Sequence, residues 1–91
     1  MVQAEQIIRI TSLSNYSKIY FTAGNPMTVA KVLHWFEDRL PAQLFARVHR
    51  SHLVNRQFMC DIKMSRQANI ILSNGETIPI SRRKKRLLVA V

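Results

Sequence analysis

Apolar residues in this chain gather in short clusters separated by polar or turn-forming residues, the spacing of strands and tight turns. Ile7-Ile8-Arg9-Ile10 and Ser17-Lys18-Ile19-Tyr20-Phe21-Thr22 are rich in β-branched and aromatic residues and predict two strands, with Thr11 to Asn15 as a polar connector. Ala23-Gly24-Asn25-Pro26 is a turn signal, because glycine accepts positive φ and proline fixes its own backbone. A helix is predicted next, over residues 29–40. Thr28 offers an N-cap, Val29, Val32, Leu33, Phe36 and Leu40 share one face, and Pro41 closes it. Leu44 to Val48 predicts a strand running into His49-Arg50-Ser51, and further strands are predicted at Gln57 to Lys63, Asn69 to Leu72 and Thr77 to Ile80. Between the last two, Ser73-Asn74-Gly75-Glu76 carries Asn-Gly, the signature of a type I′ hairpin in which both residues take positive φ. From Ser81 onward an N-cap candidate, five consecutive basic residues at 82–86 and Leu87-Leu88-Val89-Ala90-Val91 fit either a short terminal helix or a tail. The prediction is a mainly β chain with one clear helix and loops at 11–16, 49–56 and 81–86.

Composition narrows this to one small unit, since 91 residues at 47% hydrophobic content suffice for a single domain spanning 1–91. Charge changes the picture more. The net of +9 is unevenly placed: residues 1–44 carry four basic against three acidic side chains, and residues 45–91 carry ten against two, Asp61 and Glu76. A clustered positive field attracts phosphates, and a pI near 10.9 lies in the range of nucleic-acid binders. Cys60 stands alone, which excludes an intrachain disulfide, and its apolar surroundings predict a buried structural thiol. No stretch reaches the length of a membrane helix and no signal-peptide pattern opens the chain, so a cytoplasmic location is expected.

Two blocks stand out for chemistry, His49-Arg50-Ser51-His52-Leu53-Val54-Asn55 and Asn74-Gly75-Glu76-Thr77-Ile78-Pro79-Ile80-Ser81-Arg82-Arg83. Both place basic and amide side chains at the ends of apolar runs, a layout in which strands aim loop residues at a polyanion. His49 and Arg50 have a structural alternative, hydrogen bonds tying their loop to Asn55. Catalysis finds no support: no paired carboxylates stand out, two glycines cannot build a phosphate loop, and Ser51 has no Gly-x-Ser-x-Gly elbow. His49-x-x-His52 with Cys60 matches no usual zinc spacing, so neither a metal nor another cofactor is expected. Seven aromatics, with Phe36 and Phe45 assigned to core, make a thin stacking platform for the alternative function, a basic β domain gripping single-stranded nucleic acid without sequence preference. Trp35 lies off the helix's main apolar stripe and is a candidate dimer contact.

The helix ending in Leu40-Pro41, then Phe45-x-Arg47-Val48-His49-Arg50-Ser51-His52-Leu53-Val54-Asn55, then Leu72-x-Asn74-Gly75-x-x-Ile78-Pro79-Ile80-Ser81-Arg82, resembles the LytTR DNA-binding domain, the output module of many bacterial response regulators. The resemblance runs from Ile7 to about Leu88. It implies an elongated fold of small antiparallel sheets with one short α-helix. It also implies a bacterial transcriptional regulator whose loop residues enter successive major grooves of a direct-repeat duplex site and bend it; a homodimer on DNA is a further candidate assembly. Carried over by position, Asn15, Tyr16, Arg50 and Arg82 become base-reading candidates. His49, Arg83, Lys84, Lys85 and Arg86 become phosphate or supporting contacts. Arginine suits the two acceptors of guanine, and asparagine suits adenine. His52 departs from the family pattern, which commonly has an aromatic there.

Overall fold

A computed structural model of the chain describes residues 3–83. Strands β1 (Ile7–Leu13), β2 (Tyr16–Phe21), β3 (Met27–Val29), β4 (Phe45–His49) and β5 (His52–Asn55) form one antiparallel sheet in the order β3-β2-β1-β5-β4, and β6 (Met59–Lys63), β7 (Asn69–Leu72) and β8 (Thr77–Pro79) form a second. Helix α1 (Leu33–Arg39) covers one face of the five-stranded sheet and the three-stranded sheet covers the other. The result is elongated, 36 × 24 × 21 Å.

Alternation along the central strands produces these layers. Ile10, Phe45 and Leu53 join Ile7, Ile19, Leu33 and Phe36 on the helix side, while Ala46, Val48 and Val54 meet Ile70, Leu72, Ile78 and Ile80 on the other. Neighbouring residues of β4 and β5 therefore enter opposite cores, as expected of strands covered on both faces. Asn55, fully buried, donates from Nδ2 to the Ile7 carbonyl (2.8 Å) and accepts at Oδ1 from the Gln57 N–H (2.9 Å), which ties the end of β5 to β1 and starts a 3-10 turn over Arg56–Phe58.

Several expectations are corrected. The helix begins at Leu33, not at 29, because Thr28 and Val29, both β-branched, pair with Lys18 and Ser17 as an edge strand, and the Ser17 hydroxyl donates to the Lys31 carbonyl (2.7 Å) in a non-helical bend. The polar connector at 11–15 shrinks to Ser14-Asn15, since β1 continues to Leu13, and Ser14 takes φ +58°. The loop expected at 49–56 shrinks to a turn at Arg50-Ser51, since His49 ends β4, His52–Asn55 form β5 and Arg56 starts the 3-10 turn. The strand foreseen from Gln57 begins at Met59, after the 3-10 turn. In the hairpin after Leu72 only Gly75 has positive φ (+92°), with its N–H on the Leu72 carbonyl (2.9 Å) and the Leu72 N–H on the Glu76 carbonyl (2.8 Å), a three-residue loop with a glycine bulge in place of type I′. Cys60 is exposed, because the β6–β7 register shifts between Met59 and Asp61 and turns the residue between them outward.

Candidate nucleic-acid interface

Pairing of β1 with β5 runs Arg9↔Val54, Ile10↔Leu53, Thr11↔His52, and the Ser12 N–H continues it onto the Ser51 carbonyl (2.9 Å). The β1–β2 turn at Ser14-Asn15 and the β4–β5 turn at Arg50-Ser51 consequently lie at the same end of the sheet. The third segment joins them there, since the Ser81 N–H donates to the Val48 carbonyl (3.0 Å) beside that end of β4. Four inter-strand steps separate Tyr16 on β2 from Ser81, a row of about 20 Å. Asn15, Tyr16, Arg50 and Arg82 are all exposed, with Tyr16 half open to solvent. Backbone pairing thus brings the four base-reading candidates to one end of the molecule.

The two arginines after Ser81 diverge. Arg82 lines a cleft of about 560 Å³ with Arg66 and Gln67, whereas Arg83 lines a second, of about 450 Å³, with Arg50, Arg47 and Glu37; His49 and Ser81 border both. Lys84, Lys85 and Arg86 lie outside the described residues.

The turn carrying Arg50 is held from several sides. His49 accepts the Ser51 N–H at Nδ1 (3.1 Å), so the support foreseen for it is realised toward Ser51 and not toward Asn55. A β-bulge between Arg47 and His49 sets His49 opposite His52, with ring centroids 5.3 Å apart. The His52 Nδ1 lies 3.2 Å from the Thr11 hydroxyl, which itself accepts from Arg9 Nη1 (2.6 Å). Burial first, then His49 and Arg9, push the His52 pKa down to about 4, which keeps the imidazole neutral at pH 7. Arg9 also reaches Glu76 through Nε (3.1 Å) and Nη2 (2.8 Å) and stacks 3.7 Å over Tyr20, bridging the central sheet to the β7–β8 turn. The Glu76 carboxyl is held below its usual range, chiefly by the hydrogen bond from Arg9.

Sequence reading missed Arg9 and Arg47 as organisers. The available signal was a guanidinium in the middle of each apolar strand, which is costly without a partner. Trp35 packs partly into the helix-side core, edge-on to Phe36 at 5.0 Å, with the Arg39 guanidinium 4.0 Å over its ring. Among the described residues no group of three or more His, Cys, Asp or Glu side chains could hold a metal, and no helix is long and apolar enough to cross a membrane.

Comparison with known proteins places this geometry. The chain is 30% identical over 81 residues to the sensory transduction protein LytT of Enterococcus faecalis, covering 87% of this chain and 34% of that protein. It is 36% identical over 63 residues to the protein of the same name from Bacillus subtilis, covering 67% of this chain and 26% of that one. The chain therefore spans about a quarter to a third of the length of these curated relatives. A solved LytTr DNA-binding domain from Bacillus cereus superposes with a TM-score of 0.85 at 23% identity, covering 99% of this chain and 86% of that one, which shows the shared fold. The sequence pattern of the LytTr DNA-binding domain matches residues 1–91, and the chain belongs to that family.

Proposed function

We propose that residues 1–91 act as one module that binds duplex DNA sequence-specifically and serves as the output part of a bacterial transcriptional regulator of the two-component type. The observation that carries this reading is the convergence of Ser14-Asn15-Tyr16, Arg50-Ser51 and Ser81-Arg82-Arg83 at one end of the central sheet, fixed there by the Ser12–Ser51 and Ser81–Val48 backbone hydrogen bonds. Asn15, Tyr16, Arg50 and Arg82 meet base edges. Arg83, on the Arg50 side of the row, is a second candidate for the same groove. Lys84, Lys85 and Arg86 meet phosphates, which position the chain without reading sequence. Entry into successive major grooves, roughly 34 Å apart, asks more than the row of about 20 Å spans from Tyr16 to Ser81, so the outer contacts fall to the long side chains that extend beyond it, and direct repeats would take two copies.

Placement of the aromatics favours duplex over single strand. Phe36 and Phe45 are buried, Phe21 and Phe58 pack against the cores, and Tyr20 lies under Arg9, which leaves Tyr16 as the aromatic most open to stack a base.

Selection of duplexes from a random pool, then binding of the winner against a scrambled duplex at two salt concentrations, tests the reading. Arg82→Ala should cost about 1–3 kcal/mol on the selected site and relax one base position. Lys85→Ala should weaken both duplexes alike and lower the salt slope by about one. A pool that yields no motif, with steeply salt-dependent binding to every sequence, would refute sequence-specific recognition.

A further inference from the structure

Arg50 sits on a two-residue turn, and both peptide planes flanking its Cα are gripped by another arginine. Arg47 donates from Nε to the His49 carbonyl (2.9 Å) and from Nη2 to the Arg50 carbonyl (2.6 Å). Its remaining arm, Nη1, donates to Glu37 Oε1 on helix α1 (2.7 Å). The plane between residues 50 and 51 is also held from its other edge, by the Ser51 N–H on His49. Fixing both planes fixes the Cα–Cβ direction of Arg50, and so the line along which its side chain leaves the surface.

We propose that Arg47, anchored by Glu37, is a positioning residue that sets the specificity delivered through Arg50. This inference rests on the reading of Arg50 as a base contact. Three features support it. First, three divergent acceptors, two carbonyls and a carboxylate, suit the planar fork of arginine and cannot be matched by one ammonium. Secondly, Arg47 is largely covered, with 21% of its side chain exposed, and although it borders the cleft with Arg50 and Arg83, each of its three guanidinium nitrogens already donates within the chain. Thirdly, the Glu37 carboxylate borders the same cleft as Arg50 and Arg83, where it opposes phosphates. A carboxylate there weakens indiscriminate binding while holding Arg47 for the specific kind.

Arg47→Lys keeps the charge and loses the fork. It should lower affinity for the selected duplex about tenfold, leave the scrambled duplex within about twofold, and leave the salt slope unchanged. Glu37→Gln should tighten binding to the scrambled duplex about twofold and narrow the ratio between the two duplexes. The decisive measurement is a double-mutant cycle on the intact chain, by fluorescence anisotropy with both duplexes and thermal unfolding of every variant as a check on folding. A residue acting through Arg50 gives a double variant, Arg47→Lys with Arg50→Ala, no worse in specificity ratio than Arg50→Ala alone. Additive losses, or an unchanged ratio for Arg47→Lys where Arg50→Ala abolishes it, overturn the positioning role and leave Arg50 as a reader. An unchanged ratio for Arg50→Ala overturns that reading and the inference with it. If Arg47→Lys does not fold, the same cycle is run with Glu37→Gln, and an unchanged ratio there overturns the proposal.

Discussion

Acidifying the folded chain from pH 7.5 to pH 5 should destabilise it by about 1 kcal/mol through one imidazole, that of His52. The Thr11 hydroxyl accepts a hydrogen from Arg9 Nη1 and has its own proton to donate to His52 Nδ1, an arrangement that requires a neutral ring carrying its hydrogen on Nε2. Protonation would turn Nδ1 into a donor facing that hydroxyl and place a second positive charge near Arg9 and beside His49. Burial first, and then the neighbouring His49 and Arg9, lower the folded-state pKa from 6.5 to about 4. In that interval the unfolded chain binds the proton and the folded chain does not, so the stability is fully present above pH 6.5 and is lost as pH falls toward 4. Linkage over pH 7.5 to 5 gives about 2 kcal/mol for the whole shift, and solvent screening of this half-buried ring reduces it to about 1 kcal/mol. Urea unfolding at pH 7.5, 6.5, 5.5 and 5.0 measures the loss, and His52→Phe, which cannot titrate, should show about 1 kcal/mol less of it. Glu76 hardly enters the window, because both its ordinary value of 4.5 and its lowered folded one lie below pH 5. Parallel losses in the wild type and His52→Phe would refute the argument.

Glu76→Gln removes the charge that accepts two hydrogen bonds from Arg9 and should cost about 1 kcal/mol in urea unfolding at pH 7, given that Glu76 is one third exposed. Because the folded-state pKa is depressed, that advantage is present above the ordinary carboxylate value of 4.5 and fades as pH falls through the lowered one, so wild type and variant should converge in strong acid. At Gly75 an added Cβ would meet nothing within 4 Å, so Gly75→Ala should lose only the roughly 1–2 kcal/mol of holding an L residue at φ +92°. A thermal midpoint for Gly75→Ala equal to wild type would show that the turn relaxes out of this conformation.

What the sequence reveals depends on how many layers touch a segment. Asn69–Leu72 and Thr77–Pro79 stand out because a short β-branched run, bounded by Asn-Gly, has one plain interpretation, though whether Asn74 takes positive φ depends on the bulge and not on residue type. His52–Asn55 reads as loop because Leu53 and Val54 enter different cores, so the strand shows no apolar-polar alternation and is flanked by residues that favour turns. The helix onset is misplaced by a real ambiguity: Val29 and Val32 fit the apolar face of a helix, but Val29 pairs with Ser17 and Val32 is about half exposed. Exposed candidates such as Arg50 are legible from motif order. The pairs beneath them, Arg47 with Glu37 and Arg9 with Glu76, are legible only once strands and helix are assembled, since the second joins residues 67 apart and the first depends on how β4 folds back against α1.

The β-bulge at Val48 has a share in the site that no reading side chain reveals. Regular pairing from Arg47↔Leu53 would place His49 opposite Ser51 and leave Arg50 alone as an impossible one-residue turn. The extra residue sets His49 opposite His52 and opens the two-residue turn that carries Arg50. The Val48 side chain is fully buried against the second sheet, and its carbonyl accepts the Ser81 N–H. One backbone irregularity therefore fixes the second candidate loop and docks the third beside it. Along the row the candidate contacts are spaced by strand separation, about 4.8 Å a step, where a recognition helix would use its own periodicity. Exchanging the exposed side chains should then alter which bases are preferred while their placement, held by the ladder and by Arg47, stays the same.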